Sequence, residues 1–559
     1  MAAPNNVFRG PQSVAQYFDP DKSPPLPLVE IPNRLNPFRK DNVRIYAKLL
    51  TCLPAHNVKS LPALNMLLRE PKARDTKIAE ASSGSTVLSL GIIARVLWGN
   101  GDVDAYVTNK KPRESLNWLR FFGIRPCLYG GLAQQEPTDP AGIMRRLRRR
   151  ANAGEDIVYL GQYDNENNWK AHEKWTGPQI FKQLPEINVF CTTVGTGGCI
   201  TGAGAHLKSK KPSVRVVGVF NIFGDPTPGP RHFHGFHTCG FPWEGTVDAS
   251  IEVASADSYR MSMRLSREGL IAGPSSGEAL QGILQYIAQV KDAGQLAQLA
   301  DETTGEISCV FTCCDLPYQY MSGYFQKLGA NEFPPIENEI LLQCDQTRHD
   351  ERWVLDAHET MEFIFGTANS KPAQHKATIS TQSLEFAISA QTRPSDSKMT
   401  TNLFTMLHSW LGRLYDDFLG IPHLQRHKCC SIHSFTQASP SALILDFRSE
   451  MDFRARHLPG SYCASLEGLT PELAHGDLFG DANTVHFIWS NIQSLLDQPR
   501  VSSLLQGARK DHRTVIVVCY NGDASQLGSS TLRDRELEAF NVKEGFEKLW
   551  AVYEGAGLV

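Results

Sequence analysis

The chain has 559 residues, room for three or four domains of ordinary size, and its 41% hydrophobic and 21% charged content excludes wholesale disorder. Lys+Arg (56) and Asp+Glu (59) leave a formal charge of −3, which argues against a globally basic nucleic-acid binder. No apolar run reaches the ~18–20 residues a membrane helix needs, the N-terminus lacks a secretory layout, and the 13 cysteines form no CxxC pair. The expectation is a soluble cytoplasmic protein of a reducing compartment, with no resident metal.

Residues 1 to about 40 are rich in Pro and polar side chains and read as a surface arm laid against a domain. From 43 to 345, apolar β-branched runs alternate with helical patterns. The predicted strands are VRIYAK (43–48), IVYL (157–160), INVFCTTV (187–194), VRVVGVF (214–220) and ISCVFT (307–312), and the segments 257–269 and 277–293 carry helical spacing. Alternating β and α units imply an α/β domain with largely parallel sheets. MRRLRRR (144–150) is the one strong basic cluster and reads as a solvated helix face. The composition turns Ser-, Thr-, Ala- and Gln-rich over 366–402, so 346–430 is expected to be a linker. Within it, Leu403, Leu407, Trp410, Leu414 and Phe418 follow an amphipathic helical rhythm. A second α/β unit is predicted over 431–559, with strands ALILDF (442–447) and TVIVVCY (514–520).

Three segments of the first domain carry chemistry. PAHNVKSLPALNML (54–67) sets Lys59 where a loop enters a helix. EASSGSTVLSLG (80–91) opens an apolar helix with small hydroxyl and glycine residues. TTVGTGGCITGAG (192–204) puts glycines between a strand and a helix start, where backbone N–H groups and the helix dipole can cradle a phosphate. That turn lacks both the GxGxxG dinucleotide spacing and the Lys-Ser/Thr of a Walker A loop. PGPRHFHGFHTCGF (228–241) is dense in His and Arg; His232, His234 and His237 have no carboxylate or CxxC companion, so pocket shaping is expected there rather than a metal.

The order Lys59, SSGST, GTGGCITG and AGPSSGEAL (272–280), with PLPLVEIP, Gln162 and ENNWKAHEKWTGPQI (166–180) around it, resembles the fold-type II pyridoxal-phosphate enzymes, in particular the cysteine synthase and cystathionine β-synthase branch. The resemblance covers roughly 25–325. It implies two α/β subdomains within 1–345, pyridoxal 5'-phosphate as cofactor, and a homodimer. It assigns Lys59 to a Schiff base with the cofactor aldehyde and to transfer of the substrate α-proton. Gly195, Thr196, Gly197, Gly198 and Cys199 would hold the phosphate, Ser85 would contact the ring hydroxyl, and Ser275 would face the pyridine nitrogen. A neutral hydroxyl there favours β-elimination over transamination. Ser82, Ser83, Gly84, Thr86 and Gln162 would bind the substrate α-carboxylate. The chain departs from relatives in having Ser85 for Asn, Cys199 for Thr, and Ser60-Leu61 for an Asp-Arg pair.

In the second unit, Asp446, Arg448, Phe453, His457, Pro459 and Gly460, followed by a strand ending at Cys519, resemble the rhodanese motif. The resemblance implies a persulfide on Cys519, stabilised by loop N–H groups at a helix start. The rhodanese loop carries two arginines; this one carries none and has Tyr520 and Asp523. The expected function is β-substitution on an activated serine such as O-acetylserine, with sulfide or a related sulfur donor, to give cysteine or a cysteine-like amino acid. The alternatives are a non-sulfur nucleophile, a lyase releasing sulfide from cysteine, or a binding protein that retains both folds. No nucleic-acid or membrane partner is expected.

Overall fold

The computed structural model describes residues 6–82, 84–130, 136–233, 240–344, 351–366, 442–475 and 478–558, in two compact units divided at Pro334/Pro335. The linker stretch 367–441, with its amphipathic pattern, lies outside the described residues, as do Ser83, His234 and His237.

The first unit holds two sheets. Its strands in chain order are β1 (Leu28–Glu30), β2 (Val43–Leu49), β3 (Lys77–Ala81), β4 (Val103–Thr108), β5 (Arg125–Tyr129), β6 (Ile157–Val158), β7 (Ile187–Thr193), β8 (Arg215–Asn221), β9 (Ala249–Val253) and β10 (Ile307–Cys313). The larger sheet runs β1-β2-β10-β7-β8-β9, and the smaller one β5-β4-β3-β6. Every pairing is parallel except β1 with β2, where Leu28 faces Lys48 in antiparallel register. Strands β7 and β10 lie inside the larger sheet and are buried along nearly their whole length, which is why they read as unbroken apolar runs. The smaller sheet was largely invisible in the sequence: β3, β4 and β5 mix Lys, Glu, Asp and Arg with short apolar residues.

Five helices matter to the site or its surroundings: α1 (Ser60–Leu68), α2 (Ser85–Trp98), α3 (Ile143–Asn152), α4 (Asn167–Ala171) and α5 (Gly198–Lys210); α6 (Pro274–Asp292) adds a sixth. Helices α2 and α5 start just beyond the C-terminal ends of β3 and β7, the usual location of ligand sites in parallel α/β sheets, and α6, which follows the helix Ser255–Arg267, brings its first turn beside Gly229. The N-terminal arm does lie on this unit. The Leu26 carbonyl accepts from Lys48 Nζ (2.8 Å) and Gln183 Nε2 (2.9 Å), and Trp175 Nε1 donates to Asp21 (2.9 Å). Lys48 is fully buried, and burial lowers its pKa to about 7. The basic helix α3 is only partly a solvated face. Arg148 pairs with Asp164 (2.5 Å) and lies over the Tyr159 ring, and Arg150 binds Glu155 and Tyr106.

The second unit is one parallel sheet, β11-β15-β14-β12-β13, from β11 (Val354–Leu355), β12 (Leu443–Asp446), β13 (Ser461–Cys463), β14 (Val515–Val518) and β15 (Ala539–Val542). The unit begins at Pro335, whereas the expected second domain starts at 431 after a linker over 346–430. Residues 354–365, which the sequence reading placed in the linker, contribute β11 and helix α7 (Ala357–Phe365). A capping box between Asp356 and Glu359 starts that helix, and Met361 and Ile364 enter the core beside Ile444 and Val518. No described helix is long and apolar enough to cross a membrane.

Candidate active site

Lys59 stands immediately before α1, its backbone N–H donating to Asn57 Oδ1 (2.9 Å). Asn57 is buried and held in turn by Ser89 of α2, whose hydroxyl donates to the same oxygen (3.0 Å), while the Val58 N–H donates to the Cys314 carbonyl (2.7 Å). The lysine is thus fixed between α2 and the end of β10. Its ammonium reaches four neighbours electrostatically. His172 is driven down to about 3, by burial first and Lys59 second. Burial pushes the Cys199 thiol up to about 12 and also raises Cys314, with Lys59 opposing both. Asp315 is raised by burial to about 6, against donation from Tyr320 and the Lys59 charge. The charge of one lysine therefore acts on the glycine turn, the β10 end and the 167–176 segment together.

The glycine turn makes a recess. A Cβ at Gly195 would lie 2.7 Å from the Gly229 carbonyl oxygen, and one at Gly198 only 2.1 Å from Asn168 Oδ1, so both positions admit no side chain. The Thr196 hydroxyl turns inward and accepts the Gly198 N–H (3.3 Å). The first turn of α5 follows at once, and its leading N–H groups have no helical acceptors. Ser275, buried in the first turn of α6, sits across Gly229 from this recess. A small recess lined by N–H donors, a lysine at its side and a neutral hydroxyl beyond it fit pyridoxal phosphate: the turn and Thr196 would hold its phosphate, Lys59 its aldehyde and Ser275 its ring nitrogen. Cys199 holds the second position of α5, where its sulfur bonds only weakly to Thr192 (3.9 Å).

The segment leading into α2 follows β3. Ser82 Oγ accepts from Gly84 N–H (3.2 Å) and Val87 N–H (3.4 Å), capping the start of α2. Ser85 opens α2, half-buried. Gln162 is tied to this loop at both ends of its amide: Nε2 donates to the Ala81 carbonyl (3.0 Å), and Oε1 accepts from Thr86 Oγ1 (2.6 Å). Of the residues expected at the site, the structure joins Gln162 directly to Thr86 and, through one intervening side chain, to Thr196.

Two residues escaped the sequence reading. Asn168 joins Gln162 to Thr196. Glu80, fully buried on β3, accepts the Gly161 N–H at 2.9 Å and so fixes the turn that carries Gln162. Neither has a motif signature, because each is defined by partners distant in sequence. Burial pushes Glu80 from 4.5 up to about 8, with the Gly161 N–H and Arg148 opposing. Between those two values the folded chain keeps a proton that the unfolded chain has released, so this group makes stability fall as pH rises. Glu80→Gln keeps an acceptor for Gly161 and removes the titration. Its stability relative to wild type should rise between pH 5 and pH 8 in denaturant titrations; a pH-independent difference would contradict the assignment.

In the second unit Cys519 is fully buried at the end of β14. Its sulfur accepts from the N–H groups of Gly522 (3.2 Å) and Ser525 (3.3 Å), and the thiol meets Ser525 Oγ at 3.2 Å. Burial raises the thiol's pKa, and these contacts oppose the rise. Tyr520 is turned away, donating its hydroxyl to Asp452 and accepting the Ser449 N–H (3.1 Å). Asp446 and Arg448 form a buried ion pair (2.7 Å) beneath it.

Among the described residues no group of three or more His, Cys, Asp or Glu side chains could hold a metal ion. Arg231, from the His-rich segment, is buried against Tyr163, next to Gln162, with its Nη2 3.0 Å from the Tyr163 hydroxyl.

A family model described as pyridoxal-phosphate dependent enzyme matches residues 24–299, and one described as rhodanese-like domain matches 434–555. The chain is 31% identical over 277 residues to a cysteine synthase of Aquifex aeolicus, covering 48% of this chain and 83% of that protein. It is 28% identical to cysteine synthase B of Escherichia coli, covering 49% and 89%. It is 29% identical to an N-(2-amino-2-carboxyethyl)-L-glutamate synthase of Cupriavidus metallidurans, covering 47% and 78%. By these matches the chain belongs to the pyridoxal-phosphate dependent enzymes, as a β-substitution enzyme of the cysteine-synthase type that carries a rhodanese-like domain.

Proposed function

We propose that the enzyme replaces the β-substituent of an activated serine, such as O-acetylserine, by sulfide to give L-cysteine. The observation that carries this reading is the Gln162–Thr86–Ala81 lock beside Lys59. It ties Gln162 to Thr86 at the start of α2, two of the residues this reading gives to the α-carboxylate. Bound pyridoxal phosphate supplies the electron sink that acidifies the Cα–H bond. The protein's own residues do the rest. The 82–86 loop and Gln162 orient the α-carboxylate, and Lys59 takes the Cα proton as the leaving group departs from Cβ. The nucleophile then adds at Cβ, and Lys59 returns the proton to Cα. A hydroxyl at Ser275 supplies no negative charge to hold a proton on the ring nitrogen, which favours departure at Cβ over transamination.

In the same reading the rhodanese-like unit handles sulfur. Cys519 attacks a sulfane-sulfur donor and keeps its outer sulfur as a persulfide while the donor's remainder leaves. A thiol reductant, ending as a disulfide, releases that sulfur as sulfide, whose effective concentration at the first unit the tether raises. The enzyme works as a homodimer. Similarity to a synthase whose product is an N-substituted glutamate supports a second reading, in which an amine is the nucleophile.

The experiment is an absorbance titration of the cofactor-loaded protein with O-acetylserine and then sulfide, with product analysis. The expected result is a spectral change on O-acetylserine that sulfide reverses, with cysteine formed. A change that only amines reverse would replace sulfide by an amine. A spectrum blind to O-acetylserine would discard that substrate.

A further inference from the structure

We propose that Asn168 is a positioning residue that couples the cofactor-phosphate turn to the substrate-carboxylate arm, an inference that rests on the reading of Gln162 as a carboxylate contact. Asn168 is 1% exposed, in the first turns of α4. Its Nδ2 donates to the Gln162 carbonyl at 2.6 Å and to Thr196 Oγ1 at 3.1 Å. Two N–H bonds on one nitrogen thus serve two acceptors on different sheets. Gln162 follows β6 of the smaller sheet, and Thr196 follows β7 of the larger one.

Neither acceptor is slack. Thr196 Oγ1 also receives the Gly198 N–H, and Gln162 is pinned through its side chain to Ala81 and Thr86. A displacement at either acceptor must therefore move the amide that holds the other. The chain makes room for this contact, because any Cβ at Gly198 would collide with Asn168 Oδ1. The neighbouring Asn167 carbonyl accepts from Asn65 Nδ2 of α1 (2.8 Å), which ties the same turn to the helix behind Lys59. Because binding free energies are linked, cofactor phosphate and substrate carboxylate then favour each other reciprocally.

The test compares wild type, Asn168→Ala and the near-isosteric Asn168→Asp, which loses both N–H donors. The exposed Lys170→Ala on the same helix is the control. Three quantities are read: the pyridoxal phosphate Kd from apoenzyme titration, the apoenzyme Tm, and KM and kcat for O-acetylserine. The expected result for both Asn168 variants is a Kd and a KM each raised at least 5-fold, kcat within 3-fold, and an apoenzyme Tm close to the control's. An effect at one end only, an effect on kcat alone, or losses that track a fall in apoenzyme Tm in both variants would overturn the coupling. If wild-type enzyme ignores O-acetylserine, the functional reading fails by itself. The carboxylate arm is then read from the absorbance change with L-cysteine, and an unaltered pyridoxal phosphate Kd in both variants still overturns the inference.

Discussion

Lys59→Ala should remove the visible absorbance of the lysine-bound cofactor and lower β-substitution by at least roughly 10³-fold, within the range for loss of a positioned acid–base group. Lys59 is the residue whose charge reaches the glycine turn through Cys199, the β10 end through Cys314 and Asp315, and the 167–176 segment through His172. Lys48, fully buried in this unit, is spent on the Leu26 carbonyl, Gln179 and Gln183 and cannot substitute. The variant should still fold, since the α1 start is held by Asn57, Ser89 and the Cys314 carbonyl, none of which uses the Lys59 side chain. The phosphate recess is untouched, so the apoprotein should still take up the cofactor noncovalently, with a spectrum resembling the free aldehyde. A variant that keeps the wild-type absorbance would place the aldehyde on another amine and refute the assignment.

The strands of the larger sheet were legible because burial on both faces leaves no polar alternation to blur them; INVFCTTV and ISCVFT read as strands and are strands. The site motifs were legible for a related reason, since glycine and small hydroxyl residues in unbroken clusters have few structural uses at a strand-to-helix junction. In the smaller sheet only β6, within IVYL, was legible. Glu80 and Asp104 are buried polar residues bonded to partners 81 and 21 positions away, Gly161 and Arg125, so their strands look like surface segments. Asn168 was equally hidden, because Asn in ENNWK is unremarkable until folding sets Gln162 and Thr196 on either side of it. The start of the second unit was missed for want of length. A two-residue strand such as β11 has no period to detect, and only its register with Asn541 and Val542 defines it.

The second large effect belongs to that unit. Asp446→Ala should destabilise it by about 3–5 kcal/mol, the cost of leaving a buried charge without its partner. Both side chains of the Asp446–Arg448 pair are only 3% exposed. Arg448 Nε and Nη2 both reach the carboxylate, Nη2 also donates to the Arg456 carbonyl (2.7 Å), and the guanidinium lies 3.2 Å from the Phe546 ring centroid. The pair thus staples β12 to the following loop and to the last helix, Gly545–Gly555, and Phe546 N–H donates to the Cys519 carbonyl (2.8 Å). Strength alone does not explain such a pair, because apolar residues of similar volume are often as stable. The double variant Asp446→Leu/Arg448→Met should therefore recover much of the loss, a non-additivity that marks direct coupling. Calorimetry of the full chain reads this as a fall of roughly 10 °C or more in one transition, with the cofactor-stabilised transition of the first unit unmoved. Equal losses in the single and double variants would mean that the carboxylate is needed for its own contacts, such as the Arg448 N–H (3.1 Å), and not for the charge opposite it.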